Sequence, residues 1–339
     1  MNMPLSDNDT LSHLNDIIVQ INRYLAPIIL LYGFIGHVLN ILILLQPTLR
    51  LNSSAWLLLV SSIAELLSIC VGLLTRFLSG WNADLTLTTS WLCKLRAYTV
   101  FTARTMADWL LVLATVDQWL SSSRNPLYRR KSSLKNSKKS AKLLCFISLF
   151  LYLHMFYCYE ANLVITPLKC YDKSLECRFV TDLLYGLITI LLPIIFTTIF
   201  GLLTIGNVRK TQLRLQPQQQ SASHTDLHHI RSHNNNSGQM PVQTRLKKKV
   251  DRRLIFVLAV RILLLIILTF PQAIQKLYST FTIYFGDDPS NSSLDNLLYE
   301  LLLLLTYISA GSTFYISIIC GGKIFRDAFH NIPKFVCFR

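Results

Sequence analysis

Arg104 and Asp108 stand four residues apart within a long apolar run, so on a helix they share a face and a guanidinium can meet a carboxylate. Glu65 sits in the middle of a second apolar run, Asn40 in another, and Arg261 about two turns into a further one. Glu300 lies near one end of the last. Ionisable groups in such surroundings are costly and often mark function. Enzymatic chemistry is not expected. The chain has no Gly-x-Ser-x-Gly, no His-Glu-x-x-His and no paired aspartates at matching depths, so no catalytic residue is assigned. His224, His228, His229 and His233 crowd a Gln- and Asn-rich stretch, but no cysteine or fixed spacing accompanies them. They read as a solvated linker, and no metal or cofactor is expected.

These groups need elements to hold them, and the composition says which. Of 339 residues 52% are hydrophobic and only 15% charged, against about 25% charged in a soluble domain. A helix needs about 20 apolar residues to cross a bilayer core. Seven stretches meet or approach that length: Leu25 to Leu45, Ala55 to Leu74, Ala97 to Leu120, Leu143 to Tyr159, Leu183 to Ile205, Leu254 to Ile274 and Leu297 to Cys320. The fourth is short, with a polar end at His154, Tyr157, Tyr159 and Glu160. The ten-residue alternation of a membrane barrel is absent, so the expected fold is an all-α membrane protein, a seven-transmembrane helix bundle. Residues 1–24 would precede it, 25–320 form it, and 321–339 follow it.

Basic residues set the expected orientation. The connections after helices 1, 3 and 5, with the C-terminal tail, hold 23 of the 33 Lys and Arg. The N-terminus and the other three connections hold 8. The richer set belongs in the cytoplasm, which places the N-terminus outside. The net charge of +15 is then no sign of nucleic-acid binding. It is mostly cytoplasmic, where Arg129, Arg130, Lys131 and Lys247 to Lys249 can meet anionic lipid. Residues 207–253 turn polar abruptly and are expected to be a disordered third cytoplasmic loop. Lys323 to Phe329, with Ile332 and Phe335, reads as a short amphipathic helix at the inner interface, with Cys337 open to palmitoylation.

Several local patterns fall in order along these spans. They are Gly36-His37-Val38-Leu39-Asn40 in helix 1, Ser62-Ile63-Ala64-Glu65 in helix 2, and Cys93 at the outer start of helix 3. Asp117-Gln118-Trp119 closes helix 3, with Asn125-Pro126-Leu127-Tyr128-Arg129-Arg130 beyond. Pro193 lies in helix 5, Phe270-Pro271 in helix 6, and Phe325-Arg326 after helix 7. In this order and topology the chain resembles a rhodopsin-like (class A) G-protein-coupled receptor, in particular divergent invertebrate orphan, peptide-receptor-like members. The resemblance spans all seven helices. It also has gaps. Gln118 stands where the family has arginine, helix 6 lacks the tryptophan before Pro271, and helix 7 reads Phe314-Tyr315-Ile316-Ser317-Ile318 in place of Asn-Pro-x-x-Tyr.

The resemblance implies a plasma-membrane receptor. It would bind an extracellular ligand, a peptide or neuropeptide, and signal to a heterotrimeric G protein through Asp117, Gln118 and Trp119. It implies a disulfide from Cys93 to Cys170 or Cys177, an ion or water cluster at Asn40 and Glu65, and hinges at Pro193 and Pro271. Cys70, Cys145, Cys158 and Cys320 read as packing residues. Arg104, about 16 Å below Cys93, either floors a ligand pocket and reads an acidic or carboxylate group, or is neutralised by Asp108. Glu65 either joins an ion cluster or is a protonated acid. Arg261 is expected to snorkel to the interface, Asp117 to pair with the basic second cytoplasmic loop, and Glu300 to line the pocket or face headgroups. A non-signalling decoy or scavenger receptor is the alternative output, and a transporter or channel the next. This topology makes Asn8 and Asn291 the glycan acceptors among the sequons. Glycopeptide mapping should find sugar only there. A glycan at Asn52 or Asn235 would invert the topology.

Overall fold

The computed structural model describes residues 7–163, 169–222, 242–285 and 292–333. Among them are seven helices long and apolar enough to cross a membrane: α1 (Asp16–Leu44), α2 (Ser53–Gly80), α3 (Ser90–Ser122), α4 (Leu134–Cys158), α5 (Leu175–Lys210), α6 (Ile255–Thr282) and α7 (Leu294–Gly311). The amphipathic α8 (Lys323–His330) follows. Asn8, Asn291 and Cys337 carry no described side chain, and the histidines from His224 to His233 lie outside the described residues.

Side-chain caps start several of these helices. Asn52 accepts the backbone N–H of Ser54 and Ala55 at the start of α2. Ser133 accepts that of Asn136 before α4, and Ser174 that of Cys177 before α5. Each oxygen satisfies an N–H that has no intrahelical partner. Close approach comes from glycine: a Cβ on Gly311 would stand 3.0 Å from the Cα of Gly33, so α1 and α7 meet backbone to backbone. The central helix is α3, whose Leu110, Leu111 and Ala114 are fully buried. It takes a hydrogen bond from Ser61 of α2 to the carbonyl of Ala107 at 3.1 Å.

The α5 backbone loosens into a π-helical stretch over Tyr185–Leu191, just before Pro193. Such a stretch re-aims side chains and frees carbonyls. The freed group is used: the Trp109 indole N–H of α3 donates to the Ile188 carbonyl at 2.9 Å. Beside it the hydroxyls of Thr105, Tyr152 and Thr189 form a buried triad, with Tyr152 and Thr189 2.6 Å apart. The need to bury Tyr152 there accompanies a break in α4, whose helix Leu134–Leu151 ends and resumes only at Met155–Cys158. The final span also breaks, at Ser312, before Thr313–Cys320. By contrast the helix Val242–Phe285 passes through Pro271 without interruption.

Several expected boundaries need correction. Helix starts at Asp7, well inside the segment expected to precede the bundle. The expected loop over 207–253 is helical at both ends, because α5 continues as helix to Ala222 and helix resumes at Val242. These polar flanks propagate from apolar spans already formed, and adding a residue to an existing helix is far easier than nucleating one. Likewise α2 runs to Gly80 and α3 begins at Ser90, beyond the apolar windows.

At one end of the bundle, strands β1 (Tyr159–Glu160) and β2 (Tyr171–Asp172) form an antiparallel pair. Two disulfides fasten this hairpin. Cys93 pairs with Cys170, resolving the open choice, and Cys177 pairs with Cys158, with Cα atoms 5.7 and 5.4 Å apart. Cys158 is therefore no packing thiol; the hairpin brings the end of α4 to the first turn of α5. At the other end, Gly322 adopts φ +71°, a left-handed turn suited to glycine, and directs α8 across the bundle. Gln46 fixes it by donating to the Ala328 carbonyl at 2.5 Å, over the buried Phe325.

Non-reducing peptide mapping should recover both links together, Cys93 to Cys170 and Cys158 to Cys177. Breaking the shorter bridge with Cys158→Ser and Cys177→Ser should cost about 3 kcal/mol in thermal unfolding. Recovery of a Cys93 to Cys177 link would contradict this arrangement.

Candidate functional site

A cavity opens at the disulfide end, enclosing about 660 Å³ with its mouth. Its walls come from α2, α3, α5, α6, α7 and the hairpin, and they bear an unusual side-chain set. Arg76, Arg96, Arg104 and Lys276 supply four cations, and Tyr159, Tyr171, Tyr185, Tyr299 and Tyr307 supply five phenol rings. Ligand sites commonly combine an aromatic wall with a few placed polar groups in this way.

Two of the four cations are neutralised by direct ion pairs. Arg76 of α2 pairs with Glu300 of α7, both deeply buried. Glu300 thus faces neither headgroups nor the deep cavity; it lines a second cavity nearer the rim, with Ile18, Arg178 and Asp295. Lys276 of α6 pairs with Asp182 of α5, which also accepts the Thr280 hydroxyl at 2.6 Å and stands 3.7 Å from Arg178. The Lys276 ammonium lies among the rings of Phe101, Tyr185 and Tyr299, 5.4 to 5.9 Å from their centroids, a cation–π arrangement.

Arg104 is placed otherwise. It is 8% exposed, with its guanidinium carbon 5.2 Å from the centre of the Tyr307 ring. It makes no ion pair within 4.0 Å among the described residues, and Asp108 does not neutralise it directly. One helical turn separates the two residues, but Arg104 reaches up into the cavity while Asp108 faces the space below. The ring of Tyr307 is pressed against α2 at Gly72, where any added Cβ would overlap its hydroxyl. Glycine at 72 therefore lets the ring lie under the guanidinium.

Arg104 and Tyr307 also roof a small lower cavity, lined by Glu65, Asp108, Arg261, Thr269, Thr306 and Ser309. Here the expected arrangement of Asn40 and Glu65 is replaced. Asn40 donates to Ser62 at 2.7 Å rather than to Glu65. The Glu65 carboxylate pairs with Arg261, accepts the Thr313 hydroxyl at 3.3 Å, and has His37 at 3.6 Å. Arg261 does not snorkel; it is 5% exposed, and turning inward lets it meet a carboxylate in place of the distant interface. The cation beside Glu65 is thus part of the chain.

At the opposite end, Asp117 does not reach the basic connection after α3. It accepts the hydroxyls of Ser53 and Ser54, both at 2.5 Å, because α2 begins directly beside it. Gln118 is 1% exposed, and neither atom of its amide has a hydrogen-bond partner among the described residues. It borders a small apolar space with Gly201, Leu258 and Ile262. Trp119 packs on Tyr128 and Phe200, with ring centres 5.7 and 5.3 Å away. Pro193 and Pro271 lie in α5 and α6, the latter beside Gln272, which accepts the Tyr185 hydroxyl at the cavity wall.

Outside the spans, burial pushes the Asp172 carboxyl up to about 7; Lys276 opposes the shift and Asp182 adds to it. The Ser90 hydroxyl and Lys94 hold Glu160 below the usual carboxylate range.

No protein-family model and no curated protein sequence matches this chain.

Arg76, Arg96, Lys276 and Asp182 were not singled out by the sequence. The first three fall just beyond apolar windows that end at Leu74, begin at Ala97 and end at Ile274. One signal was available: no proline or glycine separates Leu74 from Arg76 or Ile274 from Lys276, so nothing stops the helices there.

The buried pair Glu65 and Arg261 generates a test. Glu65→Gln or Arg261→Gln alone leaves one charge buried and should cost roughly 3–5 kcal/mol in detergent thermal unfolding. The double substitution should recover much of that loss. Additive losses would mean that the two side chains do not act as a pair.

Proposed function

We propose that this chain is a divergent seven-helix receptor of the rhodopsin-like kind, carried in the plasma membrane with its N-terminus outside and its C-terminus in the cytoplasm. The observation that carries the reading is the cavity at the disulfide end, walled by five spans and a tethered hairpin and lined by charged and aromatic side chains. Two independent arguments support a mouth that faces outside. Disulfides persist in oxidising compartments, and the lysines and arginines concentrate in connections at the other end. The ligand is extracellular, and its binding favours whichever packing of the helices it fits best. The cytoplasmic ends of α3, α5 and α6, with α8, then meet a heterotrimeric G protein.

Coupling in this chain works without an arginine at position 118. The ion pair between Glu65 of α2 and Arg261 of α6 supplies a restraint on α6 from within the bundle. A ligand touching Arg104 and Tyr307 presses on the roof of the cavity that holds that pair. The second reading, a decoy that binds without signalling, is favoured by Gln118, whose amide is buried and unpartnered where a G-protein contact would be made.

G-protein dissociation in cells, under a mixed peptide challenge, separates them. The receptor reading expects a signal from the wild-type chain and a raised basal signal from Arg261→Gln. Silence in wild type with a signal from Gln118→Arg would establish the decoy. Ionic current or solute uptake by the purified chain would replace both with a transporter.

A further inference from the structure

The charges around the deep cavity do not cancel. Arg76 and Lys276 are held by Glu300 and Asp182, which leaves Arg96 and Arg104. No Asp or Glu lines this cavity among the described residues. Arg96 donates to the Thr86 hydroxyl at 3.3 Å and makes no ion pair among the described residues; Asp84 acts on it only through space. Arg104 rests on the Tyr307 ring, with Glu65 below it engaged by Arg261 and Asp108 out of ion-pair reach. Two guanidiniums without carboxylates therefore face one enclosed space, and each is a two-pronged donor suited to a carboxylate.

Their separation is set by the helix that carries both. Arg104 follows Arg96 by eight positions on α3, a rise of about 12 Å. An extended peptide advances about 3.4 Å per residue, so that distance spans three to four residues. Between the two cations the wall is apolar and aromatic, with Ala97, Val100 and Phe101 on α3. Tyr185 and Gln272 present polar groups suited to a peptide backbone. Arg104 and Tyr307 close the floor, so a chain end fits where a continuing chain does not.

We infer that the cavity takes the C-terminal end of an acidic peptide, its terminal carboxylate on Arg104 and an acidic side chain three or four residues upstream on Arg96. The inference rests on the receptor reading only for the side from which the peptide enters. Empty, the site holds the buried Arg104 and the half-buried Arg96 without carboxylate partners, and the ligand supplies the missing anions. This goes with a stability consequence: removing the Arg104 charge should leave the unliganded protein as stable as wild type or more so.

The test is direct binding to the full chain purified in detergent, without any signalling readout. The probes are two synthetic pools of pentapeptides of random sequence, identical except that one ends in free carboxylate and the other in carboxamide. Retained peptides are identified by mass spectrometry. The carboxylate pool should be retained about tenfold or more over the carboxamide pool, with Asp or Glu enriched at the first or second position. Arg104→Gln should abolish the preference for the free carboxylate and Arg104→Lys should restore part of it. Arg96→Gln should abolish the positional enrichment while leaving the carboxylate preference intact. Thermal unfolding of each variant confirms that it is folded. Equal retention of the pools, retention of neither, or no effect of Arg104→Gln in a folded variant overturns the inference. Retention as expected by a chain silent towards G proteins supports it while rejecting the signalling half of the receptor reading.

Discussion

An arginine or lysine buried among apolar helices is costly unless it meets a carboxylate, and three such meetings organise this bundle. Arg261 with Glu65 joins α6 to α2, Arg76 with Glu300 joins α2 to α7, and Lys276 with Asp182 joins α6 to α5. Each pair links different spans, so each fixes which helix faces which as well as neutralising a charge. Apolar packing is less selective, since lipid tails are as apolar as leucine and helices gain little by preferring one another. Breaking one member of such a pair strands the other, and this penalty gives the pairs their hold on geometry. α6 carries two of the three cations, at different depths, so its rotation and height are both constrained.

The cavity follows from these ties. With Lys276 drawn to Asp182 and Arg76 to Glu300, four aromatic side chains (Phe101, Tyr185, Tyr299 and Tyr307) line the space between α3, α5, α6 and α7. The π-helical stretch of α5 adds to this by placing Tyr185 and Thr189 inward, and its loosened carbonyl at Ile188 is taken up by Trp109. The hairpin, held by two disulfides, sets Tyr159 and Tyr171 over the mouth. Covalent links at the rim and ion pairs in the wall leave the mouth as the natural entrance.

What the sequence reveals and what it hides divide along a physical line. Seven spans were legible because apolar length is a local property, counted residue by residue. The amphipathic α8 was legible for the same reason, as was the depth of Arg104 and of Glu65. Partners were not. Glu65 meets Arg261 across 196 positions of sequence, and no periodicity in either helix says that those faces will touch. Arg104 and Asp108 looked like a pair because spacing on one helix permits it, yet side chains four apart can still leave in different directions. Cys158 was lost among the thiols of spans because the fourth helix ends early, around buried Tyr152. Arg76 and Lys276 were assigned to connections because hydropathy falls where charge begins, whereas a helix stops only where capping or a breaking residue stops it.

The same reasoning separates structural charges from those left for a partner. In a bundle that neutralises Arg76, Arg261 and Lys276 within the fold, the exceptions gain meaning from the rule. Arg104 has a carboxylate one helical turn away, at Asp108, and the structure still directs it upward onto an aromatic ring. Had stability alone governed, the shorter course would be a pair between neighbours or replacement of both by apolar residues, which often stabilises. A site that holds charge unmatched in the unliganded protein sacrifices some stability so that an incoming anion gains more on binding than water could offer it. Gln118 has no such direction: its amide is neutral and its surroundings apolar, so its lack of a partner among the described residues points to no incoming anion.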